Sequence, residues 1–287
     1  MAPSARPAPE TNAETAASSG SGRCLRLGLI GYGAIGRRVA EAVAAGLAGP
    51  VELRAVLVRE PARYGAVPGG AVLTADRAAF LAQPTELVVE AAGHDAVRQH
   101  GEAVLAAGRD LLVVSVGAFA DDALLARLQA AAAAAGRQIL VPSGAIAGLD
   151  AISAAAVGGL DTVRITTRKP PAAWRGTVGE AQALAAQEPV LLYEGPAREG
   201  VRRFPQNVNV AAALALAGVG LDATLMRVYA DPTVQHNTHE VEARGAFGAL
   251  HLVLQNVPSE NPKTGRIVAM SVIKAVRNRA APLVVGL

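Results

Sequence analysis

Apolar residues along this chain first fall into short blocks separated by helical spacing. Leu25–Gly31 (LRLGLIG) is a six-residue apolar run closed by glycine, the signature of a parallel strand buried on both faces. Arg37–Leu47 then carries helical apolar spacing and stops at Gly-Pro, and Val51–Val58 supplies a second strand. The alternation continues with strands at Leu87–Ala91, Leu111–Ser115 and Gln138–Val141. Between them lie a helix after His94 and an alanine-rich helix from Asp121, with Asp121 as its N-cap.

After Pro142 the rhythm changes. One helix is expected near Leu149–Val157, with strands at Thr162–Arg168, Val190–Tyr193 and Met226–Ala230. From Thr238 to Val257 polar and apolar residues alternate about Gly245, as a half-buried hairpin requires. A last helix, about Arg266–Arg279, packs back on the first half. The predicted fold is α/β: an N-terminal Rossmann domain, residues 23–143 joined by the helix of 264–287, then an α+β domain, 144–263, with a mostly antiparallel sheet that binds substrate and dimerises. Residues 1–22, rich in Ala, Pro, Ser and Thr, read as a disordered tail without the basic start and apolar stretch of a signal peptide.

Composition narrows the function. At 287 residues the chain can build two cores, and 51% hydrophobic against 18% charged residues makes it globular. Aromatic residues make up 3%, and the net charge of +3 is scattered, so neither a nucleic-acid nor a membrane surface is expected. No apolar run approaches the roughly 20 residues of a membrane-spanning helix. The one cysteine, Cys24, excludes an internal disulfide and a cysteine zinc site, fits a reducing cytoplasm, and is expected as a small core residue.

The strongest motif is Gly31-x-Gly33-x-x-Gly36, placed between a strand and a helix. Its glycines allow the tight turn, the approach of a pyrophosphate and close helix packing, while Ala34 and Ile35 open the helix whose free amides face the anion. That implies NAD or NADP. At the end of the second strand Arg59 and Glu60 stand side by side, and because arginine accommodates the 2′-phosphate and an acid the ribose hydroxyls, both cofactors are expected.

A dehydrogenase also needs a proton acceptor, and five histidines compete. His94 and His100 flank a Rossmann helix, with His100 expected to face solvent, and His251 sits in an apolar strand. His236 and His239 lie in a polar patch entering a strand, and spacing does not choose between them. Three residues apart on an extended chain, they point to opposite faces and do not share a metal, and no metal site is expected.

The chain resembles the L-aspartate dehydrogenase family over nearly all of residues 25–287. The motifs are GYGAIG at Gly31–Gly36, VEAAGH at Val89–His94, VVSVGAF at Val113–Phe119, PSGAIAGLDA at Pro142–Ala151, TRKPP at Thr167–Pro171 and FPQNVNVAA at Phe204–Ala212, followed by the segment Ala230–Gly248 with HEVEARGAFG and ENPKT at Glu260–Thr264. The resemblance implies NAD(P)-dependent oxidation of L-aspartate to iminoaspartate, which goes on to oxaloacetate and ammonia or toward NAD biosynthesis, in a homodimer. It implies that His239 is the catalytic general acid/base, a neutral imidazole with a pKa near the operating pH. It puts Asn209 at the nicotinamide carboxamide, with Asn207 as the neighbouring alternative, and Ala145 and Ile146 along the nicotinamide by backbone contact. For the two substrate carboxylates the cationic candidates are Arg168, Lys169 and Lys263. The rival readings are a related two-domain enzyme such as dihydrodipicolinate reductase or homoserine dehydrogenase, and a non-enzymatic NAD(H) sensor.

Overall fold

The computed structural model describes residues 24–204, 209–257 and 265–286. Asn207, Lys263 and the N-terminal tail lie outside them.

The first half runs β1 (Leu25–Ile30), α1 (Ala34–Ala44), β2 (Val51–Leu57), β3 (Val72–Thr74), α2 (Arg77–Leu81), β4 (Leu87–Glu90), α3 (His94–Ala106), β5 (Asp110–Val113), α4 (Asp122–Ala135) and β6 (Ile139–Leu140). Its six strands form one sheet in the order β3-β2-β1-β4-β5-β6, with every pairing parallel. This is the doubly wound dinucleotide-binding order, in which the chain reverses direction outside the carboxyl ends of β1 and β4. The apolar blocks form the sheet centre because residues such as Leu27, Leu29, Val88 and Leu112 are buried on both faces. Asp121 caps α4 by accepting from the Leu124 amide at 3.0 Å, and Gly136 ends that helix in the left-handed conformation.

The second half runs α5 (Leu149–Gly158), β7 (Leu160–Lys169), α6 (Glu180–Leu184), β8 (Val190–Pro196), α7 (Ala197–Arg203), α8 (Asn209–Ala217), β9 (Leu225–Ala230), β10 (Asn237–Gly245) and β11 (Gly248–Asn256), and α9 (Arg266–Ala280) follows. The sheet order is β11-β10-β7-β9-β8, with one parallel pair, β7 with β9, among antiparallel ones. One core spans the α3–α4 side of the Rossmann sheet and continues through α8 into the second sheet. A second core lies under α1 and α9, where Val268, Val272 and Val276 pack against β1 and β2 residues.

Two expectations need correction. Cys24 is exposed, because it precedes β1 rather than entering the sheet. His100 is partly buried on α3, and burial with the nearby Arg77 lowers its pKa.

Candidate active site

The phosphate turn is built as its sequence demands. Gly31 has φ +96°, and a Cβ there would lie 2.8 Å from the Ala91 carbonyl oxygen. At Gly36 a Cβ would come within 2.3 Å of the Gly31 carbonyl. At Gly33, the N-cap of α1, it would meet no protein atom within 4 Å, leaving open space at a helix start whose first amides have no intrahelical partner. The turn therefore fits a dinucleotide pyrophosphate. Arg59 follows β2 exposed, while its neighbour Glu60 pairs with Arg63 at 2.7 Å.

A cavity opens beyond this turn, at the carboxyl ends of the Rossmann strands and against the inner face of the second sheet. Ile35, Ala145, Asn209, Lys169 and His239 all line it. Ile146 instead buries its side chain in the core at 2% exposure and has only its backbone to offer. The Pro142–Ile146 loop is held from two elements. The Asn256 Nδ2 donates to the Ala145 carbonyl at 2.9 Å, and the Gly144 amide donates to the Ser271 hydroxyl at 3.1 Å.

Asn209 begins α8 and joins the two halves. Its Oδ1 accepts from the Gly117 amide at 3.0 Å and from His94 Nε2 at 3.2 Å. With the oxygen committed, its NH2 group is the part left to donate. Beneath this contact, Glu90 at the end of β4 is buried and accepts from the amides of Ala92 (2.7 Å), Gly93 (2.8 Å) and Ser115 (3.1 Å) and from the Ser115 hydroxyl at 2.9 Å. Burial raises the Glu90 pKa against the opposing pull of these four donors. His94 opens α3, as expected of a helix-start residue, whereas Glu90 was not singled out in the sequence. Glu90 offered one signal, an acidic residue closing an otherwise apolar strand.

On the second sheet, His239 is the cross-strand partner of Thr167, and its Nδ1 lies 3.0 Å from the Thr167 hydroxyl. His236 precedes β10 and is absent from the cavity lining, so the geometry separates the two histidines. The expectation of an imidazole titrating near the operating pH is overturned. Burial, reinforced by the Lys169 cation, pulls the His239 pKa down to about 3, so the ring is neutral throughout the physiological range.

The basic pair also divides. Successive residues of a strand face opposite ways. Lys169, 3% exposed, turns into the cavity, with its Nζ 5.5 Å from the centroid of the Trp174 ring. Burial lowers its pKa to about 7. Arg168 turns outward, pairs with Asp231 at 3.2 Å and stacks over Tyr229 at 4.4 Å. It is not a cavity residue, which corrects its expectation as a carboxylate anchor.

The geometry has counterparts among known proteins. Residues 150–279 match the family model "Aspartate dehydrogenase, C-terminal", and residues 31–142 match "Homoserine dehydrogenase, NAD binding domain". The L-aspartate dehydrogenase of Brucella anthropi is 42% identical over 262 residues, 90% of this chain and 97% of its own. That of Methanocella arvoryzae is 40% identical across 91% of this chain and 99% of its own. The crystal structure of aspartate dehydrogenase from Thermotoga maritima superposes with a TM-score of 0.74 at 26% identity, covering 91% of this chain and 99% of that one. With relatives of this identity along nearly its whole length, and with its second half matching the family's own domain, the chain belongs to the aspartate dehydrogenase family.

Proposed function

We propose that this protein oxidises L-aspartate with NAD or NADP, giving iminoaspartate and then oxaloacetate and ammonia. The observation that carries the reading is the convergence of His239, Lys169 and Asn209 on one cavity beside the dinucleotide turn.

The amides after Gly33 would hold the pyrophosphate of a dinucleotide and the backbone at Ala145 would flank its nicotinamide, which would supply the hydride acceptor. Asn209, its Oδ1 already engaged, would donate its NH2 to the carboxamide oxygen. His239, held by Thr167, keeps its second ring nitrogen for substrate as a neutral hydrogen-bonding group. Lys169 faces substrate from the same cavity, while Asn207 and Lys263 are candidates for contacts to the dicarboxylate.

The partner is a second copy of the chain, seated on the open face of the five-stranded sheet. That face exposes Val253 at 54% and carries the Arg164–Glu242 ion pair at 3.1 Å. The protein works in the cytoplasm, consistent with a single exposed thiol.

The test is initial-rate formation of NADH and NADPH from L-aspartate, L-glutamate, L-alanine, L-homoserine and D-aspartate. Selective turnover of L-aspartate supports the reading. Dinucleotide binding without turnover of any of them favours a sensor, and turnover of homoserine instead favours a homoserine dehydrogenase.

A further inference from the structure

The oxidation of an α-amino acid begins with a proton problem. The substrate amine arrives as an ammonium group, whose nitrogen has no lone pair to form the C=N bond. A base must take that proton before the Cα hydrogen can leave with its electron pair.

Two titratable side chains line the cavity among the described residues, His239 from β10 and Lys169 from β7, and no carboxylate does. The other polar side chains facing it are neutral: Ser143 from the loop after β6, Asn209 from α8, Asn237 from β10 and Asn256 from β11. Trp174 packs a ring near Lys169, 5.5 Å from the Nζ. Lys169 lies two residues beyond Thr167, the cross-strand partner of His239, so the lysine and histidine are diagonal neighbours on one sheet face. Such neighbours stand roughly 7–8 Å apart at their Cα atoms, a gap that long side chains reach across. Both face the same cavity, where a substrate amino group would lie.

We propose that Lys169, rather than His239, is the base that takes the proton from the α-ammonium group of the substrate. This rests on the reading of the protein as an amino-acid dehydrogenase. Neutral Lys169 accepts one proton on Nζ and becomes an ammonium. The freed lone pair on the substrate nitrogen forms the C=N bond as Cα transfers its hydrogen with two electrons to the nicotinamide, leaving a protonated imine. The net products are the iminium, the reduced dinucleotide and one proton held by Lys169.

The proton affinities of the two groups agree with this assignment. Burial brings Lys169 to about 7, where a neutral fraction exists at physiological pH. His239, at about 3, is too weakly basic to compete. A charged Lys169 serving only to hold a carboxylate is the competing role, and the two differ in what arginine can replace. Arginine keeps the cation but does not give up a proton in this range.

The experiment compares wild type with Lys169→Arg, Lys169→Met and Lys169→Ala on L-aspartate, or on whichever amino acid the wild type oxidises. Binding of NADH, followed by its fluorescence, verifies that each variant is folded. The expected result is that Lys169→Arg and Lys169→Met both lose about 100-fold or more in kcat. The fall in wild-type kcat/KM below pH about 7 disappears with them, and added methylamine restores turnover to Lys169→Ala in proportion to its free-base concentration. Retention by Lys169→Arg of more than a tenth of wild-type kcat, with the loss confined to KM, overturns the proposal in favour of an anchor. So does a failure of methylamine to rescue folded Lys169→Ala. Wild-type inactivity on L-aspartate with activity on another amino acid sinks the substrate reading and leaves the base assignment open to the same measurements.

Discussion

Thr167 and His239 face each other across β7 and β10 with 3.0 Å between hydroxyl oxygen and Nδ1. Both are buried, so this contact holds the imidazole in one orientation on the inner face of the sheet. Thr167→Val removes it at nearly constant volume. We expect kcat to fall about tenfold, by the loss of roughly 1 kcal/mol or more of orientation, with NADH affinity unchanged and Thr167→Ser largely restoring the rate. Steady-state kinetics with NADH titration checks both halves.

Asn209 gives a prediction about cofactor rather than turnover. In Asn209→Ala the Gly117 amide and the His94 Nε2 lose their acceptor, at a cost of about 1–3 kcal/mol. NADH should bind at least fivefold more weakly. Gly117→Ala should act in the same direction, since its Cβ would lie 2.7 Å from His94 Nε2 and 3.0 Å from Asn209 Oδ1. Equal NADH affinity in both variants would remove Asn209 from the cofactor site.

Glu90 should matter to stability more than to chemistry. Glu90→Ala strands three amide donors and the Ser115 hydroxyl beneath the cofactor turn. A loss of about 3 kcal/mol or more is expected, seen as a lower midpoint in urea.

The buried ring gives acid lability with a definite sign. Unfolded, His239 takes up a proton near pH 6.5; folded, it holds off until about 3. Between those values the unfolded chain binds the extra proton, so stability falls by about 1.4 kcal/mol for each unit of pH lost. His239→Gln should flatten the fall of Tm below pH 6.5. Lys169 has the same sign in a higher window: the unfolded chain holds its proton up to about 10.5, the folded one only to about 7. Lys169→Met should therefore melt higher than wild type at pH 7, by about 2 °C or more, while losing activity.

Arg59 bears on the choice of dinucleotide. It is exposed just after β2, beside a Glu60 already paired with Arg63, and we propose that it meets the 2′-phosphate of NADP. Arg59→Ala should raise KM for NADPH about tenfold and leave KM for NADH within a factor of two or so. An unchanged ratio would dismiss the idea.

How much of this could be read from the sequence differs by residue. The Gly31–Gly36 turn was legible because Gly31 and Gly36 answer local steric demands and Gly33 keeps the helix start open, and the Rossmann strands because burial on both faces leaves apolar runs. β3 and α2 were missed: a three-residue edge strand and a five-residue helix are too short to show a period. α8 hid within an apolar stretch of Val and Ala with no polar face to mark it. Arg168 and Lys169 looked equivalent as adjacent cations, and only pairing with β10 decides which one faces inward. The basicity of His239 was misjudged for a related reason, because burial and a neighbouring cation belong to the assembled sheet and not to the HEVEA segment.

The inner face of β7 carries Thr167 and Lys169, the outer face Thr166 and Arg168, and β10 meets them with His239 inside and Glu240 outside. The reactive groups are thus stored as the odd or even parity of a strand. Loss of one residue between Gly159 and Thr167 would invert that parity relative to β10, presenting Arg168 and Thr166 to the dinucleotide while every side chain of the site survives in the sequence. An ancestral chain could drift by substitution at these positions one step at a time, but an indel in β7 is all-or-nothing, so length variation in this family is expected to collect in the connections outside β7 and β10.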